Sequence, residues 1–203
     1  MVETTGIAHR LGKARRPRRA TFKWGNIMSR RFAAAILATV FLALAPKGAL
    51  ATELGLTPNQ VVSLWTNINA ALLDSAAAIA KDPGLQGQMK ALTPGQFKGK
   101  KPSDVLGRVA EFRDRLDKLR ARGGLPATSR YGEGDGKITP SVVFLNSGRV
   151  LNATVDWLIR NTERDQLVSQ YYRRHAFSGK TPSHAFAMVD LAVRRLDLIL
   201  PLI

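Results

Sequence analysis

The chain contains no cysteine among its 203 residues. It therefore has no disulfide, no thiolate nucleophile and no thiolate metal ligand. The sequence also lacks the G-x-x-x-x-G-K-[ST] phosphate loop, the C-x-x-C-H haem motif and any nucleophile elbow. These absences remove the best-known signatures of enzymes and cofactor proteins. We predict a protein that is not an enzyme and that carries no cofactor or metal.

Two cofactor motifs are approximated but incomplete. The segment around Gly136 resembles the centre of a calcium-binding EF-hand loop, yet Tyr131 and Val142 then occupy the first and last ligand positions. Those positions need Asp and a bidentate Glu. His184 and Met188 are one helical turn apart, so they cannot bind opposite faces of one haem. Neither motif changes the prediction.

The N-terminal quarter differs in composition from the rest of the chain. Residues 28–51 have the basic start, apolar run and Ala-x-Ala ending of a secretory signal, so we expect cleavage near Ala51. The apolar run, residues 32–45, is shorter than the roughly 20 residues of a membrane-spanning helix. We therefore expect a periplasmic or secreted protein that is not integral to the membrane. Residues 1–27 are interpreted as a misassigned start or a disordered basic leader.

The net charge is strongly affected by this leader. The whole chain carries a formal charge of +16, but residues 1–51 hold ten of the 31 Lys and Arg and one of the 15 acidic residues. The remainder has a net charge of +7, which suits contact with an anionic partner. Because most of the basic excess lies in the leader and the protein is expected to be exported, we predict no nucleic-acid partner.

The strongest positive signal is a motif that occurs twice. At an offset of 80 residues, the pattern F-x-G-K-x-P-S of residues 97–103 returns in residues 177–183. A repeat of this length without a gap predicts a duplicated helical unit. The pairs Arg115/Asp117 and Arg195/Asp197 recur at the same offset and are expected to form equivalent inter-helix contacts.

The apolar residues that follow recur at steps of three and four, which predicts helices, and no segment alternates long enough to predict a sheet. The fold class is therefore all-α. We expect a single domain, residues 52–203, built as an up-down-up-down four-helix bundle of two tandem helical hairpins. The hairpins are residues 57–122 and 139–203, joined by a glycine-rich linker at 123–138.

In such a bundle the second and fourth helices run parallel on the diagonal, so both copies of the motif lie at one end. Unpaired N–H groups and the helix dipole favour an anion at a helix N-terminus, and the nearby lysines add full charges. The motif alone also fits a structural role, with Phe anchoring a loop, Gly making a turn and Pro starting a helix. The residues predicted to bind an anion are Lys98, Gly99, Lys100, Lys101, Ser103, Arg173, Arg174, Gly179, Lys180, Thr181 and Ser183.

These observations predict a non-catalytic binding or adaptor module that contacts an anionic small molecule or an acidic protein partner at its basic end. The alternative is a structural or assembly protein that acts through a helix face, including as a homodimer. The aromatic and basic segment Tyr171–His175 fits a protein–protein contact as well as ring stacking.

Overall fold

The structure, a computed structural model, describes residues 54–79, 83–132, 136–162 and 165–202. The predicted leader and signal segment, residues 1–51, lie outside these ranges. The described residues form five α-helices and two 3₁₀ helices, with no strand among them, so the all-α prediction is confirmed. No described helix is both long enough and apolar enough to span a membrane. The helices are α1 (Pro58–Ile79), α2 (Pro83–Ala91), α3 (Pro102–Arg122), α4 (Pro140–Thr162) and α5 (Pro182–Ile199), and the 3₁₀ helices are Asp165–Tyr172 and Leu200–Leu202.

The four long helices do not pair as the predicted hairpins. Helix α1 packs along α4 and α5, and α3 packs along the same two helices. The two helices of each expected hairpin, α1 with α3 and α4 with α5, instead lie at opposite corners, so α3 and α5 are neighbours and not a diagonal pair. The prediction of two tandem hairpins is therefore wrong in its pairing.

The direction of the helices also differs from the prediction. A small apolar pocket is bordered by the first proline of every long helix and by the residue three positions later, namely Pro58, Val61, Pro102, Val105, Pro140, Val143, Pro182 and Ala185. All four N-termini therefore meet at one end, and the long helices run parallel. An up-down-up-down order would place only two starts there. Parallel neighbours require each connection to return along the whole length of a helix.

The core repeats in register along the four helices. Positions 3, 7, 10, 14 and 17 after the first proline supply one residue per helix to each of five layers, and all are at most 2% exposed. This spacing is the 3–4 step of a helix that faces a common axis. From the N-terminal end, the layers are Val61, Val105, Val143 and Ala185; Trp65, Val109, Ser147 and Val189; Ile68, Phe112, Val150 and Ala192; Leu72, Leu116, Thr154 and Leu196; and Ser75, Leu119, Trp157 and Ile199.

Within a layer, a large side chain is accompanied by a small one, so that the volume of the layer is filled. Trp65 shares its layer with Ser147, and its Nε1 donates a hydrogen bond to the Ser147 Oγ at 2.9 Å. The Trp65 ring also packs edge-on against Phe112 of the next layer, with ring centroids 5.1 Å apart. Trp157 is similarly level with Ser75. Because protein interiors are close-packed, each tryptophan requires a small residue at the same level.

The returning connections are held by buried arginines. Arg195 of α5 is 7% exposed and donates to the carbonyl oxygen of Met89 at 3.1 Å and to the Asn69 Oδ1 at 3.0 Å. Arg120 of α3 is 5% exposed and donates to the carbonyl oxygens of Pro126 and Ala153. The two arginines thus join α3 and α5 to the neighbouring connections and helices through hydrogen bonds to backbone carbonyl oxygens.

Candidate functional site

The shared end is built from four helix starts of similar design. Each long helix begins with proline, whose missing N–H is not needed at this position. In three of them the side chain at the third helical position accepts a hydrogen bond from the N–H of the residue before the proline. These bonds run from Thr57 to Gln60 at 3.0 Å, from Lys101 to Asp104 at 2.8 Å and from Thr181 to His184 at 3.1 Å. They satisfy N–H groups that a helix start leaves open.

The helix starts are also linked to one another. In each link, a polar side chain at the second position of one helix accepts a hydrogen bond. The donor is a backbone N–H in the segment that precedes a neighbouring helix. The bonds run from Leu54 to Ser141 Oγ at 3.1 Å, from Lys100 to Ser183 Oγ at 3.1 Å and from Lys180 to Asn59 Oδ1 at 2.9 Å. The end of the molecule is therefore a continuous network, and the two copies of the repeated motif are brought together within it.

The Phe and Gly residues of the motif have structural roles. Gly99 and Gly179 have φ values of 68° and 65°, in the left-handed region that favours glycine. Phe97 packs against Phe186 with ring centroids 4.8 Å apart, and Phe177 packs against the core. The motif therefore shapes the turn before each helix. Gly55 occupies the same position before α1, with a φ of 64°.

The lysines of the motif fall into two groups. Lys100 and Lys180 are half-buried over aromatic rings, with Nζ 4.4 Å from the Phe186 centroid and 5.4 Å from the Phe177 centroid, respectively. Such contacts stabilise the cation in place. Lys98 and Lys101 are exposed. We refer to Lys98, Lys100, Lys101 and Lys180 together as the basic end.

The hydroxyl residues predicted to bind an anion are already engaged, except for Ser103, which is exposed. Ser183 accepts the Lys100 N–H, and the Thr181 Oγ1 lies 2.9 Å from the His184 Nδ1. Among the described first turns of the four long helices, Asp104 is the only acidic residue. The basic end thus combines four helix N-termini and four lysines with one carboxylate.

Arg173 and Arg174 lie apart from the basic end. The carbonyl oxygen of Arg173 accepts a hydrogen bond from the Asn67 Nδ2 at 2.9 Å. Since Asn67 is eight residues beyond Asn59, this contact lies about 12 Å along α1 from the helix start. Both arginine side chains are exposed. The structure therefore divides the predicted anion site into two neighbouring parts.

An open groove of about 810 Å³ is bordered by Arg173 and Arg174 and reaches the start of α1. We call it the α1/α4 groove. Its apolar surface includes Leu64, Phe144 and Leu151, and its edge is the segment 172–177. The remaining lining residues are Leu56, Thr57, Asn59, Gln60, Ser63 and Asn67. The volume is within the usual range for a ligand site, and an apolar floor with a few polar groups is the usual composition.

The edge of the groove is fixed by hydrogen bonds to α1. The His175 N–H donates to the Ser63 Oγ at 2.9 Å, and the His175 Nε2 lies 2.8 Å from the Asn67 Oδ1. Because the amide nitrogen of Asn67 already donates to the Arg173 carbonyl oxygen, its side-chain oxygen faces the His175 Nε2. Segment 172–177 is thus a positioned wall of the groove.

A smaller polar pocket of about 330 Å³ lies between α3, α4 and the segment 127–129. At its edge Asp156 accepts hydrogen bonds from Arg120 at 3.0 Å and from Arg160 at 2.9 Å. Burial would raise the pKa of Asp156, but these two arginines outweigh that effect and hold the pKa below its ordinary value. Burial and the nearby Asp156 charge raise the pKa of Tyr172.

Sequence reasoning identified the basic end and missed the α1/α4 groove. The groove residues on α1 and α4 carry no motif, and they become neighbours only because α1 and α4 pack together. The one usable signal was the aromatic and basic segment 171–175, since it forms part of the groove edge. Within the described part of the chain no group of three His, Asp or Glu side chains could hold a metal ion.

No protein-family model, curated protein or solved structure significantly matches this chain.

Proposed function

We propose that this protein is an exported, non-catalytic binding module that folds as one four-helix bundle with an internal repeat. Its partner is an anionic ligand or an acidic protein surface, which it contacts at the basic end. The observation that carries this proposal is the meeting of four helix N-termini at an end that holds four lysines and one acidic first-turn residue. Parallel helix dipoles add their positive ends there, so the local field favours an anion.

The internal repeat is more extensive than the two copies of the F-x-G-K-x-P-S motif. The pattern Gly-x-(Thr or Lys)-Pro precedes α1, α3 and α5, and each of these glycines has a positive φ. A similar Thr-Pro-Ser start opens α4. We propose four related units, each made of a helix and the connection that precedes it, in place of two hairpins.

The alternative of an assembly protein that acts through a helix face has less support. Only three large apolar side chains in the described residues are about half exposed or more, namely Leu54, Tyr172 and Leu202. Stable helix-face interfaces usually bury a larger apolar patch.

The test uses the full chain and a panel of inorganic phosphate, citrate, polyphosphate and an acidic peptide, at matched ionic strength. Thermal unfolding is measured for the wild type, for the Lys98→Glu/Lys101→Glu variant and for the control Lys90→Glu/Lys118→Glu. All four lysines are exposed, and the two variants change the net charge equally. We expect one anion to stabilise the wild type and the control, and to bind the basic-end variant about tenfold more weakly, or about 1.4 kcal/mol. An equal loss in both variants would refute a localised site.

A further inference from the structure

Arg173 and Arg174 differ from every other arginine of the described residues. Each of the other ten donates a side-chain hydrogen bond or forms an ion pair within the protein. Examples are Arg115 with Asp197, Arg194 with Asp190 and the buried Arg120 with Asp156. Arg173 and Arg174 have no such side-chain partner in the described part of the chain, although both border the α1/α4 groove. The groove therefore has two uncompensated guanidinium groups on its edge.

The floor of the groove has the opposite character. Leu64 and Phe144 are half-buried and pack against the core, and Leu151 is buried. A ligand that fills the groove must therefore have apolar groups toward α1 and α4 and anionic groups toward Arg173 and Arg174. Guanidinium groups bind carboxylates through two parallel hydrogen bonds, so carboxylates are the favoured anionic groups.

The shape of the groove favours an extended chain over a compact ligand. Its lining runs from Thr57, the residue before α1, to Asn67, a separation of ten positions or about 15 Å along the helix axis. An extended peptide covers about 3.3 Å per residue, so four to five residues span this length. In an extended peptide successive side chains point to opposite sides. Alternating acidic and apolar residues would match the edge and the floor.

The molecule already binds two of its own segments in a comparable way. Segments 92–100 and 173–180 run without helical structure beside the long helices. Each is held by a phenylalanine and by a backbone N–H donated to a side chain at a helix start, which is Ser183 for the first segment and Asn59 for the second. The faces of the long helices are thus suited to extended chains.

We propose that the α1/α4 groove binds an extended segment of a partner protein in which acidic and apolar residues alternate. The apolar side chains contact Leu64, Phe144 and Leu151, and the carboxylates pair with Arg173 and Arg174. The inference rests on the proposed function, because it names the acidic partner of the binding module. It also extends the contact from the basic end along α1.

The probe is a fluorescein-labelled seven-residue peptide that alternates glutamate and leucine, and its binding to the full chain is followed by fluorescence anisotropy. Two matched peptides replace either the leucines by serine or the glutamates by lysine. We expect both replacements to weaken binding at least tenfold. Equal binding of the serine peptide would overturn the groove proposal, since only the charges would then matter.

Three variants locate the bound peptide. Arg173→Glu/Arg174→Glu should weaken binding at least tenfold, and Ala176→Trp should do the same by filling the groove from an exposed position on its edge. The control Lys90→Glu/Lys118→Glu should stay within twofold of the wild type. If Lys98→Glu/Lys101→Glu abolishes binding while Ala176→Trp has no effect, the basic end binds the peptide and the groove proposal is wrong, whereas the proposed function stands. If no acidic probe binds at all, both are wrong.

A measurement on the unaltered chain covers the case in which a variant does not fold. The same peptide with a central benzophenone side chain is irradiated in the complex, and the crosslinked residues are identified by mass spectrometry. Crosslinks to 60–67, 144–151 or 172–177 support the proposal. Crosslinks confined to 97–103 overturn it.

Discussion

Replacing Arg195 by methionine tests how the connection between α1 and α3 is held. The guanidinium is almost completely buried and donates to oxygens of Met89 and Asn69 at 3.1 and 3.0 Å, with longer bonds of 3.4 Å to the carbonyl oxygens of Asn69 and Leu92. One side chain therefore joins α5 to α1 and to the C-terminal end of α2. Methionine keeps the length and the apolar stem, and removes only the charged donors.

The expected loss of stability in Arg195→Met is the difference between two opposing contributions. Two well-formed hydrogen bonds from a charged donor contribute roughly 1.5–3 kcal/mol each, and the 3.4 Å bonds contribute little. Methionine recovers part of this, because a buried guanidinium carries a desolvation penalty. Burial and the neighbouring charge of Arg194 lower the pKa of Arg195, which is consistent with that penalty. We expect Arg195→Met to lower the free energy of unfolding by about 2–3 kcal/mol.

The assay is urea unfolding of the full chain followed by circular dichroism at 222 nm. The matched control is Arg194→Met at the adjacent position. Arg194 donates to the Thr93 carbonyl oxygen at 2.7 Å and pairs with Asp190, but its side chain is 35% exposed. Removal of such a surface contact should cost less than about 1 kcal/mol. The reasoning is refuted if the two variants lose equal stability, or if Arg195→Met stays within 0.5 kcal/mol of the wild type, a margin of about the precision of such mutational comparisons.

Three other predictions use the core, the turns and the acid response. Trp65→Ala should lower the free energy of unfolding by about 3–5 kcal/mol in the same urea assay, because it leaves a cavity and an unpaired Ser147 hydroxyl in a closed layer. Gly179→Ala should lower the free energy of unfolding by about 1 kcal/mol, because the residue has a positive φ. Gly107→Ala should raise it by about 0.5–1 kcal/mol, because Gly107 lies inside α3 with open space for a methyl group. Asp156→Asn should reduce stability at pH 7. Because the pKa of Asp156 is lowered in the folded state, its contribution is complete above the unfolded value and is lost as the pH falls below about 4, so the difference from the wild type should vanish in acid-titration unfolding curves.

The positions at which the helices begin follow from local signals in the sequence. Thr57-Pro58 and Thr181-Pro182 combine an N-cap residue with a proline, and α1 and α5 begin at these prolines. Apolar steps of three and four then correctly indicated which side of each helix faces the core, as for Val109 and Leu116 in α3. Such signals depend on residues within one or two helical turns.

The direction and pairing of the helices could not be derived in the same way. An amphipathic stripe is equally apolar for a parallel and an antiparallel neighbour, so periodicity does not decide between them. Connection length does carry information. The stretches 80–101 and 163–181 are far longer than the few residues that join antiparallel helices, and long enough to return along a whole helix. An up-down order would need only short connections, whereas these two stretches are long enough for parallel neighbours.

Residues at equivalent positions of the repeat also have different contacts in the structure. Arg115 of α3 forms an ion pair with Asp197 of α5 at 2.7 Å, as expected for an inter-helix contact. Its counterpart Arg195 turns inward to carbonyl oxygens, and Asp117 accepts hydrogen bonds from Thr128. The connection that passes over each helix decides these partners. Because the connections differ in sequence and length, the repeat alone could not predict them.

The parallel arrangement links the stability of the fold to the proposed function. In an antiparallel bundle the positive and negative ends of neighbouring helix dipoles lie side by side, whereas here four positive ends lie together. The basic end adds four lysines, and Asp104 is the only described first-turn carboxylate to offset them. Some of this unfavourable charge is reduced by the helix caps and by the cation–π contacts of Lys100 and Lys180. An anion bound at the basic end would reduce this repulsion further. The meeting of four helix N-termini, which is electrostatically unfavourable for the fold, would therefore make a bound anionic partner stabilising.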